Sequence, residues 1–154
     1  MTSRLARMAA LALAGALLAT TPVHAGTEDD PTDVLGTWSF RTKPYRGGEC
    51  LMTGTMYLTP HPDEDQYTCE LTAVEVCSLW GRSVVRQSCK ARRFGDQLSI
   101  RSEIEEMLES KVEGLVYVPD NFTLTIESAN RMFGALVSAV TAPAEFRRAS
   151  NGIS

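Results

Sequence analysis

Along most of the chain apolar side chains recur at every second residue, the spacing of strands with one buried and one solvated face. This alternation predicts strands over 34–42, with Trp38 and Phe40 on one face, and 49–59, with Cys50, Met52, Met56 and Leu58 inward and mostly threonines outward. It continues over 66–76 (Tyr67, Cys69, Leu71 and Ala73 inward), 84–92 (Val85, Cys89 and Ala91) and 97–102 (Leu98 and Ile100). A pair over 121–127 and 131–140 follows, then a short strand over 144–149 carrying Phe146 and Arg147-Arg148. Directly opposed residues of an antiparallel pair point the same way, so two hairpins can be checked for parity. Around Phe94-Gly95-Asp96, Ala91 is set opposite Leu98 and Cys89 opposite Ile100; around Ala129-Asn130, Ile126 opposes Met132 and Leu124 opposes Gly134. Apolar meets apolar or glycine in both. The expected fold is mainly β, an antiparallel meander of about eight strands closed as a barrel or packed as a sandwich.

One stretch departs from period two. Ser102 with Glu105 forms a capping box, and Ile104, Met107, Leu108 and Val112 recur at helical spacing. Together they predict a short helix over 103–112, stopped at Gly114. Glu103, Glu105, Glu106 and Glu109 then read as its solvated face, with negative charge near the N-terminus, rather than as an acid–base pair.

The first 25 residues have the three parts of a secretory signal: basic Arg4 and Arg7, an apolar run from Met8 to Thr20, and Val23-His24-Ala25 at the positions a signal peptidase reads. The run is shorter than the roughly 20 residues a membrane span needs. Cleavage before Gly26 is expected, with no membrane insertion afterwards, which places the product in the periplasm or outside the cell. The chain divides into the signal peptide (1–25), a flexible acidic leader (26–33), one β domain (34–149) and a short tail (150–154). Cleavage leaves 129 of 154 residues, the size of one domain, and loss of two arginines takes the formal charge from −4 to −6. Such a domain is poorly suited to nucleic acid, whose affinity comes mainly from neutralised phosphates.

All four cysteines, Cys50, Cys69, Cys77 and Cys89, follow the signal, and an even set in an oxidising compartment reads as two disulfides. The gaps of 18, 7 and 11 residues do not suit structural zinc. Register favours Cys50–Cys77 with Cys69–Cys89, because the loop Pro60–Asp65 sets the first pair nearly opposite and the turn through Trp80-Gly81-Arg82 sets the second within one step. The sequential pairing, Cys50–Cys69 with Cys77–Cys89, is the alternative.

Candidate chemistry is sparse. His61-Pro62-Asp63-Glu64-Asp65 is where a histidine meets carboxylates, but it lacks the glycine of calcium loops with known spacing and reads as a solvated hairpin loop. Ser83 and Ser88 lie in no nucleophile-elbow pattern and have no evident histidine base. Asn121-Phe122-Thr123 fits a glycosylation sequon and reads as the start of a strand. No catalytic residue, cofactor or metal is expected, and the chain is read as a non-enzyme.

Gly36-Thr37-Trp38 opens the first strand, and Gly48-Glu49-Cys50 leads into the second. In these features the chain resembles the calycins: lipocalins, avidins and the small bacterial barrel that inhibits secreted metalloproteases. The resemblance implies a closed barrel in which Gly36 and Trp38 lie on the first strand and an arginine of the last strand, Arg147 or Arg148, packs over the indole. The inward parity of Ala144 and Phe146 selects Arg148. Two features depart from the inhibitor pattern, the second disulfide and the mid-chain helix. The functional expectation is an exported, non-enzymatic binding or inhibitor-type protein of the bacterial envelope, its partner an unknown protein. In the inhibitor case the leader before Trp38 would enter the protease cleft. The alternative is a carrier of a small apolar ligand in a barrel interior, where Met52, Gly54, Met56 and Gly134 are adaptable or small.

Overall fold

A computed structural model describes residues 33–149; the signal segment, most of the leader and the tail lie outside them. The described chain forms eight strands: β1 (Gly36–Thr42), β2 (Cys50–Pro60), β3 (Gln66–Cys77), β4 (Gly81–Phe94), β5 (Gln97–Glu109), β6 (Asn121–Ser128), β7 (Arg131–Val137) and β8 (Thr141–Arg148). Each pairs antiparallel with the next, and β8 returns to β1, so the meander closes as a barrel rather than a sandwich. Closure removes the sheet edges that an open meander would leave unpaired.

Alternation places the core as the sequence pattern requires. Trp38, Met52, Met56, Leu58, Leu71, Ala73, Leu98, Ile100, Phe122, Leu124, Met132 and Phe146 are buried, and the rings of Phe40, Phe122 and Phe146 meet at 5.0–5.2 Å across the middle of the barrel. Gly54 lies opposite Phe40, and a methyl group at Gly54 would stand 2.5 Å from that ring and 2.2 Å from the Thr72 carbonyl oxygen. The glycine is therefore filled over by an aromatic ring, a device by which curved sheets tolerate a missing side chain. The middle of the interior is packed.

Trp38 pairs with Arg148 at the seam, and its indole N–H donates to the Val34 carbonyl at 2.9 Å. The Arg148 guanidinium lies 4.5 Å from the indole centroid and donates to the carbonyl oxygens of Asp33, Leu35 and Ala129. Gly36 has φ of 103°, and a Cβ there would lie 3.3 Å from the Arg148 Nη1. The Gly-x-Trp spacing thus serves a backbone turn closed to ordinary side chains and a cation that needs that space. These contacts seal one end of the barrel.

Cys50 lies directly opposite Cys77, and Cys69 opposite Cys89; both pairs are disulfide-bonded, at Cα separations of 4.1 and 4.8 Å.

Three expectations need correction. There is no helix over 103–112: β5 continues to Glu109, and no helix occurs among the described residues. Two register shifts in the β4–β5 ladder explain the misleading period. Ile104 faces Gln87, Glu106 faces Arg86, Met107 faces Val85 and Glu109 faces Val84, so Glu105 and Leu108 are extra residues at bulges. An extra residue turns a spacing of two into three, so Ile104 and Met107, on one face of a strand, imitate a helical repeat. The ladder to β4 supplies backbone partners that a short exposed helix would have to find alone, and Arg86–Glu106 and Arg82–Glu109 pair across it. The β4–β5 turn has two residues, Gly95 and Asp96, so Ala91 faces Ile100 and Cys89 faces Ser102, two positions from the expected partners. Even-numbered slippage keeps every side chain on its face, which is why the inward set was unaffected. Finally, β7 ends at Val137 and β8 starts at Thr141: a turn at 138–140 takes the last three residues of the strand expected over 131–140, and the last strand starts three residues before the expected 144. The β6–β7 pairs Ile126–Met132 and Leu124–Gly134 form as expected.

Candidate functional site

The end opposite the Trp38 seal is built from the β1–β2 loop, the β3–β4 turn, the β7–β8 turn and the long β5–β6 segment 110–120. Backbone pairing between β5 and β6 stops at Ile100–Phe122, whereas β5 stays with β4 as far as Glu109. The segment 110–120 makes the return, and its last residues enter the barrel mouth. Here a cavity of about 90 Å³ opens, lined by Tyr45, Met52, Glu75, Trp80, Tyr117 and Asp120 among others.

Asp120 is fully buried. Gln87, also fully buried and inward on β4, clasps it: the Gln87 Nε2 donates to Asp120 Oδ2 at 2.7 Å and the Asp120 backbone N–H donates to Gln87 Oε1 at 2.9 Å. The Tyr117 hydroxyl donates to the same Oδ2 at 2.8 Å, and the Ser102 hydroxyl donates to the Asp120 carbonyl at 2.7 Å. Oδ1 has no hydrogen-bond partner among the described residues. The Ser138 hydroxyl donates to the Val118 carbonyl at 3.0 Å and stands close enough to the Asp120 carboxyl to help lower its pKa. Burial pushes the Asp120 pKa from 3.8 up to about 6, against the lowering pull of Gln87, Tyr117 and Ser138, and the Glu75 carboxylate adds to the rise.

Glu75 points inward from β3, with Met52 and Ser83 as its cross-strand neighbours, and accepts from the Tyr45 hydroxyl at 2.5 Å. Burial raises the pKa of both phenols, and their neighbouring carboxylates add to the effect, so both remain donors at any ordinary pH. The Glu75 carboxylate lies within 4.8 Å of the Cys50 and Cys77 sulfurs, but these are bonded to one another and offer no metal ligand. Among the described residues no salt bridge reaches Glu75 or Asp120. Arg46 lies over the Trp80 ring at 5.3 Å.

The residues singled out in the sequence lie elsewhere. His61 is in the β2–β3 loop at the sealed end, where its Nδ1 accepts from the Asp63 N–H. Glu103, Glu105, Glu106 and Glu109 are on β5, the last two paired with arginines. Asn121 starts β6, and its side chain accepts from the Ser102 N–H at 2.9 Å. Gly36, Trp38 and Arg148 form the seal. Sequence reasoning missed Glu75, Gln87, Tyr117 and Asp120. Glu75 and Gln87 carry a usable signal, since both share the parity of the inward residues Leu71 and Ala73 on β3 and Val85 and Cys89 on β4. Asp120 and Tyr117, in a segment without periodicity, carried none.

The fold defines the class: a small, closed, eight-stranded antiparallel meander barrel. It is similar to a redesigned beta barrel, b11L5F_LGL, with a TM-score of 0.56 and 13% identity over 75% of this chain and 91% of that one. It is also similar to the redesigned barrel mFAP1, whose structure was determined bound to DFHBI, with a TM-score of 0.51 and 16% identity over 75% of this chain and 94% of that one. No protein-family model matches the chain, and no curated protein matches it. At these identities the likeness is one of fold.

Proposed function

We propose that the chain is an exported, non-enzymatic binding protein of the bacterial envelope that receives its ligand or partner at the open end of the barrel. The observation that carries this reading is the asymmetry of the two ends. Trp38, Arg148 and the aromatic cluster fill one end and the middle, while the other presents the acid-lined cavity with exposed apolar side chains around it. Val116 is 87% exposed and Leu79 72%, and Val118 adds to the same rim. Apolar side chains beside a polar concavity are a common form of binding surface. The two disulfides fit an oxidising, extracytoplasmic compartment.

The barrel fold shared with a designed protein that holds DFHBI supports a second reading, a carrier of a small apolar ligand. The packed Phe40, Phe122 and Phe146 rings would then have to give way, so the mouth is the favoured place. An inhibitor acting through its leader would work from the sealed end, where Asp33 joins Arg148.

Native mass spectrometry of protein purified from its own compartment tests the proposal. A retained small mass or a bound protein, lost when Leu79 and Val116 are both replaced by Asp, is the expected result. A bound species indifferent to those replacements and displaced by changes around Trp38 would move the function to the sealed end and refute the reading.

A further inference from the structure

The cavity at the mouth differs chemically from every other part of the interior, and its lining is specific enough to name a ligand class. We infer that it takes one primary ammonium group, with Asp120 and Glu75 as the acceptors and Tyr45, Trp80 and Tyr117 as the walls. The inference rests on the binding reading above and gives it a chemistry.

Four observations converge. Asp120 is completely buried and lines the cavity, yet its Oδ1 has no hydrogen-bond partner among the described residues. A buried carboxylate oxygen left unpartnered carries a large desolvation cost that a bound donor removes. Second, the hydrogen bonds to the two carboxylates come from neutral groups, Gln87, Tyr117 and Tyr45, and among the described residues no salt bridge reaches either acid. Third, three aromatic side chains line the cavity, and a cation beside such rings gains further attraction. Fourth, about 90 Å³ suits an ammonium on a short alkyl stem and falls far below the roughly 300 Å³ or more of sites for larger ligands.

Other charges fit less well. An anion is repelled by both acids. A hard divalent cation wants six or more oxygens, and the cluster of three ligand-type side chains found beside Glu75 consists otherwise of disulfide sulfurs. An ammonium offers three donors and needs only a few acceptors. Arg46, the basic residue lining the cavity, is exposed and lies over Trp80, and Lys111 stands outside against Gly81.

The protonation state of Asp120 should gate the site. Facing it are Glu75 from β3, Tyr45 and Arg46 from the β1–β2 loop, and Tyr117 from its own segment; β4 contributes neutral Gln87 and the β7–β8 turn neutral Ser138. With its pKa at about 6, Asp120 is mostly ionised above that value and mostly protonated a unit below it. Affinity for a cation should fall about tenfold between about pH 8 and about pH 5.

The probe is n-butylammonium chloride, titrated into the mature, disulfide-bonded protein while the Trp80 indole N–H is followed by NMR at constant ionic strength. A saturable shift that n-butanol does not reproduce, weakened about tenfold or more by Asp120→Asn and losing its pH dependence in that variant, is expected. Glu75→Gln, checked for an intact thermal transition, provides a second variant and should also weaken binding. Nα-acetyl-lysine amide identifies the source: binding as tight as that of n-butylammonium assigns the site to a lysine side chain, and much weaker binding to a free amine. Equal binding of n-butanol, a response to calcium chloride alone, indifference to both substitutions, or no saturable shift up to about 50 mM would each overturn the inference. Loss of this inference leaves the rim test unaffected, since Leu79→Asp with Val116→Asp reads partner binding without touching the carboxylates.

Discussion

Replacing Asp120 by Asn should make the protein more stable at neutral pH, an unusual result for a fully buried, hydrogen-bonded residue. Asn is nearly isosteric, and its carbonyl oxygen can take the place of Oδ2, accepting from Gln87 and Tyr117. Its NH₂ then stands where Oδ1 now lacks a partner, so one unpartnered polar atom replaces another. What changes is the charge. Burial raises the carboxyl pKa from 3.8 to about 6, so the folded state takes up a proton more readily than the unfolded chain. The penalty is absent below about pH 4, grows as pH rises through the window up to about 6, and is constant above it. At about 1.4 kcal/mol per pH unit the full penalty is about 3 kcal/mol. An unpaired amide donor takes back part of this, leaving a net gain of about 1–2 kcal/mol at pH 7. Urea denaturation of both proteins at several pH values measures the difference, in which titrations common to the two cancel. The gain should appear at pH 7 and shrink towards pH 4. A variant less stable than the parent by a pH-independent amount would mean that the carboxylate is held by contacts that compensate its burial, and the argument would fail.

Three further outcomes follow from the packing. Trp38→Ala should cost about 3–5 kcal/mol by calorimetry, and Arg148→Ala should shift Trp38 fluorescence in a Trp80→Phe background, because the guanidinium lies 4.5 Å from that ring. Gly54→Ala should cost about 1–3 kcal/mol in denaturant, its methyl group meeting the Thr72 carbonyl at 2.2 Å; a neutral result would show that β2 shifts freely there. Intact mass of exported protein should lack residues 1–25 and four hydrogens, and loss of either disulfide should cost about 2–5 kcal/mol, whereas four reactive thiols without denaturant would contradict the pairing.

The barrel was legible because its wall is made by period-two alternation, and alternation survives errors of register. The β4–β5 hairpin shows the limit: its turn centre lies one residue later than the parity check assumes, so every partner moves by two while the inward set stays the same. Cross-strand cysteines were legible for a related reason, since loop length and parity together leave few ways to place Cys50 against Cys77. Helical spacing over 103–112 misled because periodicity records side-chain direction and not backbone pairing. A strand with two bulges directs its side chains much as a helix would, and only the presence of β4 alongside, a non-local fact, decides between them.

The same bulged strand explains why the candidate site was the least legible part. Regular alternation of β5 against both neighbours would carry the wall evenly to the mouth and leave the interior apolar. Instead β5 leaves β6 after Ile100 and follows β4 for nine more residues, so the chain needs the 110–120 segment to return to Asn121. That segment delivers Tyr117 and Asp120 to a part of the barrel where the regular strands already direct Glu75 and Gln87 inward. An inward Glu and an inward Gln are costly in a closed barrel without partners. Gln87 is satisfied by Asp120 on both sides of its amide, and Glu75 by the Tyr45 hydroxyl. Among the described residues, Asp120 keeps a buried oxygen, Oδ1, without a hydrogen-bond partner. A polar residue at an inward strand position is therefore the feature to look for first in sequences of this class, because it marks where a loop must enter the barrel and where a ligand can complete the hydrogen bonding.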